Sequence, residues 1–431
     1  MTFNLQATSP SGLAMGSAVK TSSRVSDSGL LSESNMRRKS VMERVRETFQ
    51  GWMVSPTFYR ISINNIFTRW FAVRRTKQVF DLMAGFVNFQ VLLTTLKCGV
   101  LDAVYKEPST LEQLSEQTQL PHKNLEPLIL SAVALGLIER RAGDLYAIGH
   151  LGLPVVAYGG IRAMVEHNEV LYKDMQDTVG LIRRTSEAQM NEYWPYAKLK
   201  KTEQNQEQAS VPASVPASVP GLAIELERDV KDQFARYSEL MSASQNFVID
   251  EIIHAYDFSQ HSKMLDIGCG KGRFATEVAQ KYSHLKFELM DLPQVIELTK
   301  AGIEKTNLIQ RFNFNPASFK TNELPGEVDL VTLVRIAHDH SDEVVSALLR
   351  KIYLSLPSKG VLLLAEPMAE PALKGAKHDA YFHFYLLAMG EGRLRTPEYL
   401  SEMLMIAGFE QVKLLPNPMP IHARILAAQK Y

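Results

Sequence analysis

Met264-Leu265-Asp266-Ile267-Gly268-Cys269-Gly270-Lys271-Gly272-Arg273-Phe274 decides the fold of the C-terminal half of this chain. An apolar strand gives way at Gly268 to a glycine-rich turn, and the turn opens a helix expected over Phe274 to Lys281. Glycines at this spacing let the backbone approach a ligand closely, and the helix N-terminus behind them favours negative charge. The turn by itself fits a dinucleotide site equally well. Asp291 narrows the reading. It closes the next apolar strand, Lys286 to Met290, 19 residues beyond Gly272, where a ribose diol lies in a βαβ unit. The third glycine stands two residues after the second rather than three, a spacing that favours adenosylmethionine over a nicotinamide dinucleotide. Gly268, Gly270 and Asp291 are therefore candidate cofactor-binding residues. Asp266 has two readings: it holds the turn, or it meets the cationic end of the ligand.

Downstream, strands are expected at Asp329 to Val334 and Val361 to Ala365, separated by a helix from Glu343 to Leu356 and the turn Pro357-Ser358-Lys359-Gly360. Alternating strands and helices make a doubly wound, mostly parallel α/β sheet, whose ligands sit beyond the carboxyl ends of the strands. Gly268, Asp291, Arg335 and Glu366 all fall there. His338 follows the strand ending at Val334, in reach of a bound ligand, and a histidine there can take a proton at neutral pH. Glu366, 28 residues on, ends the next strand and can orient an imidazole as the acid of a hydrolase triad does. Helix capping or structural hydrogen bonds account better for Asp339, His340 and Asp342. The expected helix Ala380 to Met389 is crowded with Tyr, Phe, Leu and Met; Tyr381, Phe384 and Leu387 line an apolar acceptor pocket or simply pack the core.

Upstream, residues 79–152 read as helices at Phe80 to Leu101, Thr110 to Gln117 and Leu125 to Leu135, then a hairpin from Ile138 to Ile148 around Ala142-Gly143-Asp144. This is a winged-helix pattern, but its last helix has no Arg or Lys after Lys123, so it lacks the donors that a major-groove reader needs. Residues 153–227 form a helical connector in which Ala-Ser-Val-Pro repeats three times from Ala209 to Pro220; proline at that period forbids a helix. Residues 41–78 interleave Trp52, Phe58, Tyr59, Phe67, Trp70 and Phe71 with Arg60, Arg69, Arg74, Arg75 and Lys77. That mixture suits a helix lying in a membrane interface; the alternative is packing on the fold or on a second subunit. Residues 1–40, rich in Ser, Thr and Gly, are expected to be a disordered extension. The chain carries 47 basic and 47 acidic residues, so no global field draws it to nucleic acid. Two cysteines, Cys98 and Cys269, are too few for a disulfide framework and fit a reducing cytosolic setting. No uninterrupted apolar stretch reaches a membrane span, and no metal site is expected.

The Leu265 to Phe274 turn, Asp291-Leu292-Pro293, the block His338-Asp339-x-Ser341-Asp342-Glu343 and Ala365-Glu366 together resemble the two-domain small-molecule O-methyltransferases. The resemblance implies a winged-helix dimerisation domain ahead of a Rossmann-like class I catalytic domain at 228–431, with S-adenosyl-L-methionine as methyl donor and a homodimer as the assembly. It makes His338 the general base and Glu366 its orienting carboxylate. Gly268, Asp291, Leu292 and Phe319 would line the cofactor site, and Met241 with Ser244 would lie on a helix bordering donor and acceptor. Two positions depart from the pattern: Leu394 stands where the family often has a second catalytic glutamate, and Ser318 where it often has an acidic reader of the adenine amine.

Further segments resemble the bacterial carotenoid hydroxyl methyltransferases: Val54-x-Pro56, Phe80-Asp81-Leu82-x-Ala84-Gly85-Phe86-Val87, Tyr193-Trp194-Pro195-Tyr196-Ala197, Val334-Arg335, Ala365-Glu366-Pro367-Met368 and Tyr381-Phe382-x-Phe384-Tyr385. This resemblance implies methylation of the tertiary hydroxyl of an acyclic hydroxycarotenoid of the 1-hydroxyneurosporene or demethylspheroidene type, in the cytoplasm or at a photosynthetic or inner membrane surface. The runner-up is a methyltransferase of phenolic or polyketide hydroxyls. An alternative of another class is a winged-helix regulator with a vestigial ligand domain, against which the intact glycine turn, Asp291 and His338 count.

Overall fold

The computed structural model describes residues 41–53, 55–193, 245, 248–370, 377–420 and 423–431. The N-terminal extension, the Ala-Ser-Val-Pro repeat, Trp194 to Ala197, Met241 and Ser244 lie outside the described residues, as does most of the helix expected from Leu226 to Ala255. The chain divides into two compact units, 1–83 and 84–431.

In the first unit, α1 (Val41–Met53) and α2 (Pro56–Asn64) precede the start of a 32-residue helix, α3 (Ile66–Lys97). Ser55 caps α2 by accepting from the Phe58 N–H at 3.1 Å, with Pro56 in the first turn where its missing N–H costs nothing. Trp70 and Phe71 are exposed, with Arg74 over the first ring at 5.4 Å and Arg75 over the second at 5.7 Å. Thr68–Lys97 contains an 18-residue window of mean hydropathy 1.5 and, by length and composition, is long enough to cross a membrane. Its last turns are committed elsewhere: Leu93 and Leu96 belong to a protein core.

In the second unit, Gly99 adopts φ +74 and breaks the single helix expected through Leu101, so that α4 (Val100–Lys106) starts afresh. Then come α5 (Leu111–Thr118), opened by a Thr110/Gln113 capping box, and α6 (His122–Ala134). The antiparallel hairpin of β1 (Ile138–Arg141) and β2 (Leu145–Ile148) turns through Gly143 and Asp144, both at positive φ. Leu96, Leu101, Leu114, Leu125 and Ile129 fill one core beneath these elements. Four short helices follow: α7 (Gly152–Ala157), α8 (Gly159–Asp174), α9 (Thr178–Arg183) and α10 (Gln189–Tyr193).

The sheet of the same unit contains β3 (Lys263–Ile267), β4 (Lys286–Asp291), β5 (Phe312–Pro316), β6 (Leu330–Val334), β7 (Val361–Glu366), β8 (Gln411–Leu415) and β9 (Arg424–Gln429), in the order β5-β4-β3-β6-β7-β9-β8. β9 runs against both its neighbours; the other strands are parallel. Interspersed are α11 (Arg273–Lys281), α12 (Pro293–Ile303), α13 (Asp342–Ser355), α14 (Lys377–Met389) and α15 (Pro397–Ala407). Every residue of β6 and β7 is buried, as in a sheet covered on both faces. Alternate residues serve opposite cores: Met264, Phe287, Leu330 and Leu363 face one side, and Leu265, Ile267, Val331 and Leu362 the other. The strand order reverses between β3 and β6, which opens a crevice at their carboxyl ends.

Candidate active site

The glycine turn leaves β3 at that crevice. Gly268 has φ +70, and a Cβ there would lie 2.3 Å from Ile336 Cδ1, so the turn and the segment after β6 pack too closely for a side chain. Gly270 also has positive φ, but nothing stands within 4 Å of the place its Cβ would take. Its backbone is therefore bare on that side, as close approach of a ligand requires. Asp291 ends β4, buried, and accepts from the Gly270 N–H at 2.9 Å and the Leu292 N–H at 2.7 Å. The carboxylate thus ties the turn to the second strand. Asp266 is buried one strand layer below, accepting from Thr332 Oγ1 at 2.6 Å. Burial pushes its carboxyl up to about 7 against the opposing Thr332 hydrogen bond, and the Asp291 charge adds to the rise. Ser318 and Phe319 follow β5. The Ser318 N–H donates to Asn322 Oδ1 at 3.2 Å, and Phe319 meets the His340 ring edge-on at 5.3 Å.

Beyond β6, Arg335 takes φ +58, a strained value for a side-chain-bearing residue, while its N–H donates to the Ala365 carbonyl at 2.8 Å. One short helical turn, Ala337–Asp339, then carries His338. Its backbone N–H donates to Glu366 Oε2 at 2.9 Å, its Nδ1 lies 3.6 Å from the same oxygen, and its Nε2 lies 3.3 Å from Asp339 Oδ1. Both His338 and Glu366 are buried, and Nδ1 makes no hydrogen bond among the described residues. Asp339, expected as a cap or structural group, therefore sits against the imidazole instead. Burial pushes its carboxyl up, partly offset by the charges of His338 and Arg335. Asp342 does take the structural part, joining Arg395, Arg393 and the Tyr399 hydroxyl.

Next to this turn, α14 packs on α8 and α10 around Leu171, Met190, Tyr385, Leu386 and Met389. Tyr381 and Leu387 join that cluster; Phe384, half-buried, does not. The cluster is not wholly apolar. The Tyr381 hydroxyl donates to Asn168 Oδ1 at 2.7 Å, and His167 Nε2 lies 3.2 Å from the Tyr385 hydroxyl. Burial, reinforced by the Arg335 charge, pushes His167 down to about 4, so its ring is neutral. His167 and Asn168 were not singled out from sequence, and Tyr385 stood there only within a run of family resemblance. Two polar residues in an amphipathic helix more than 200 positions from their partners leave no local signal.

An O-methyltransferase domain family matches residues 202–410. Demethylspheroidene O-methyltransferase of Rhodobacter capsulatus is 33% identical over 373 residues, covering 86% of this chain and 86% of that one. The protein of the same name from Cereibacter sphaeroides is 31% identical over 362 residues, covering 84% and 89%. Among solved structures, human N-acetylserotonin methyltransferase in complex with adenosylmethionine superposes with a TM-score of 0.63 at 22% identity, covering 83% of this chain and 97% of that chain.

Proposed function

The chain belongs to the S-adenosylmethionine-dependent O-methyltransferases, and from that premise we propose that it methylates the tertiary hydroxyl of an acyclic hydroxycarotenoid. The observation that carries this reading is the likeness to demethylspheroidene O-methyltransferases along more than four-fifths of both chains. The apolar majority of the α8–α14 cluster supports it.

Bound adenosylmethionine supplies a methyl group on a sulfonium, a leaving group that departs as a neutral thioether. The residues of this chain do the rest. Gly268 and Gly270 would admit the ligand to the backbone, Asp291 and Leu292 would hold its ribose edge, Phe319 and Ser318 would flank the base, and Asp266 would meet the cationic end. A tertiary alcohol is a weak acid, so its proton must leave as the carbon–oxygen bond forms. His338 Nε2 takes that proton; the carboxylates of Glu366 and Asp339, on either side of the ring, stabilise the imidazolium. The positive charge of Arg335 favours the ionised form of Asp339. Tyr381 and Leu387 guide the acceptor, and its alignment with the methyl donor lowers the barrier.

A second acceptor class, phenolic or polyketide hydroxyls, is favoured by one observation, the Tyr381–Asn168 and His167–Tyr385 pairs beside the cluster. Incubation with labelled adenosylmethionine and a panel of hydroxylated carotenoids and phenols separates the two; transfer to phenols alone overturns the carotenoid reading. Domain roles belong to the same proposal: residues 79–152 pair two copies through α3 and α6, where Phe80, Leu82, Phe86 and Leu130 are exposed, and the basic, aromatic stretch 41–78 touches the membrane in which the substrate dissolves. Light scattering at micromolar concentration and co-sedimentation with lipid vesicles test these in turn.

A further inference from the structure

Arg395 is a fully buried cation whose guanidinium reaches three points on the turn that carries His338. Nη1 donates to the Ala337 carbonyl at 2.8 Å, Nη2 to the His340 carbonyl at 2.8 Å and Nε to Asp342 Oδ1 at 2.7 Å. The two carbonyls bracket His338, one residue before it and two after. The same segment adds backbone support. The Arg393 N–H donates to the His338 carbonyl at 2.8 Å, and Gly392 comes so near that a Cβ on it would lie 2.4 Å from that carbonyl.

A buried ion pair is a poor source of net stability, because desolvation offsets its attraction and an apolar residue of similar volume often serves as well. What a guanidinium supplies and an apolar side chain cannot is direction: a planar fork with donors at fixed angles, where lysine has one compact ammonium. Here the fork spans both carbonyls while Asp342 neutralises it. Burial raises the Asp342 carboxyl, yet hydrogen bonds from Arg395 and Tyr399 hold it below its usual range, so the pair stays ionised.

We propose that Arg395 is the positioning residue of this turn, fixing where the His338 imidazole stands between Glu366 and Asp339 without touching donor or acceptor. The proposal rests on the reading of His338 as the base. The turn is gripped from two sides, by Glu366 through the His338 N–H and by Arg395 through the flanking carbonyls. With the fork removed, the Glu366 tether remains and the ring tilts about it.

The test uses the full chain with Arg395→Lys, Arg395→Met and Gly392→Ala, the last pressing on the His338 carbonyl from the same side. Melting temperature and calorimetric adenosylmethionine affinity report the fold and the cofactor site. Steady-state kinetics on a methylated acceptor reports turnover, and ¹³C-labelled imidazole resonances, with that of His338 assigned by its loss in His338→Gln, report the ring. Arg395→Lys and Gly392→Ala should keep cofactor affinity within about threefold while kcat falls on the order of 100-fold, the scale of a roughly 1 Å misplacement. Acceptor KM should change little, and the His338 resonance should shift and titrate at a different pH. A wild-type His338 titration in these variants overturns the proposal, as does a kcat loss that only tracks lost folded protein. If His338→Gln keeps wild-type turnover, the base reading fails, while the imidazole resonance still decides whether Arg395 positions the ring.

Discussion

Glu366 Oε2 accepts from the backbone N–H of His338 at 2.9 Å and lies 3.6 Å from that residue's own Nδ1, so one buried oxygen addresses both the main chain and the ring. A short rotation of the ring brings Nδ1–H into hydrogen-bond range, which leaves Nε2 as the lone-pair nitrogen. His338→Gln is expected to leave adenosylmethionine affinity nearly intact and to slow turnover by roughly 10²–10⁴-fold, the usual contribution of a positioned proton acceptor. The wild-type rate should fall on acidification, because a protonated imidazole has nothing left to accept with. Turnover by the Gln variant within a few-fold of wild type, with an unchanged pH profile, would reduce His338 to a positioning group.

Asp291→Ala is expected to weaken adenosylmethionine binding by about 1–3 kcal/mol through loss of a charged acceptor. Because the carboxylate also holds the Gly270 and Leu292 N–H groups, part of that loss comes from a looser turn. Asp291→Asn, which keeps one acceptor oxygen, should lose less than Asp291→Ala. Calorimetry giving equal affinities for wild type and both folded variants removes Asp291 from the cofactor site.

Asp266 and His167 predict opposite trends in stability across one pH range. The folded Asp266 carboxyl, raised to about 7 from an ordinary 3.8, binds its proton more tightly than the unfolded chain does, so its contribution declines as pH rises from about 4 to 7. The folded His167 ring, near 4 against 6.5, binds its proton less tightly; its contribution is complete above about 6.5 and is lost as pH falls toward 4. Between about pH 4 and 7 the melting temperature should therefore decline less with rising pH in Asp266→Asn and fall less on acidification in His167→Gln. Each unit of difference between the two states is worth about 1.4 kcal/mol. Identical pH profiles in wild type and variants would contradict both assignments.

A cation beside Asp266 favours its carboxylate, so adenosylmethionine binding near pH 6 should release a proton. Calorimetric heats measured in buffers of different ionisation enthalpy should differ for the wild type and coincide for Asp266→Asn. Heats independent of buffer in the wild type would place the cationic end of the ligand away from Asp266.

Much of this architecture was legible because it is local. The run Met264 to Phe274 states strand, turn and helix in order, and Leu330 to Val334 and Val361 to Glu366 are continuous apolar strings that only a doubly covered sheet can hide. The edges were less legible. Phe312-Asn313-Phe314-Asn315-Pro316 alternates like an edge strand but ends in proline, and β8 and β9 are held mainly by each other and by β7. In the site, the ends of β3, β4, β6 and β7 could be located from strand alternation alone. Asp339 as the ring's neighbour, Arg395 as its backing and Asn168 as the partner of Tyr381 could not, since each depends on which way a side chain turns or on contacts between distant segments.

The cluster joining α8, α10 and α14 is separate from the two cores that sandwich the sheet. Its side chains can be exchanged, then, with little disturbance of the strands that aim Asp291, His338 and Glu366. On the proposed reading, the fold uncouples in evolutionary terms what is methylated from how the proton is removed. On that reading a lineage drifts toward a longer, flatter or more polar acceptor by rewriting a few positions on three helices.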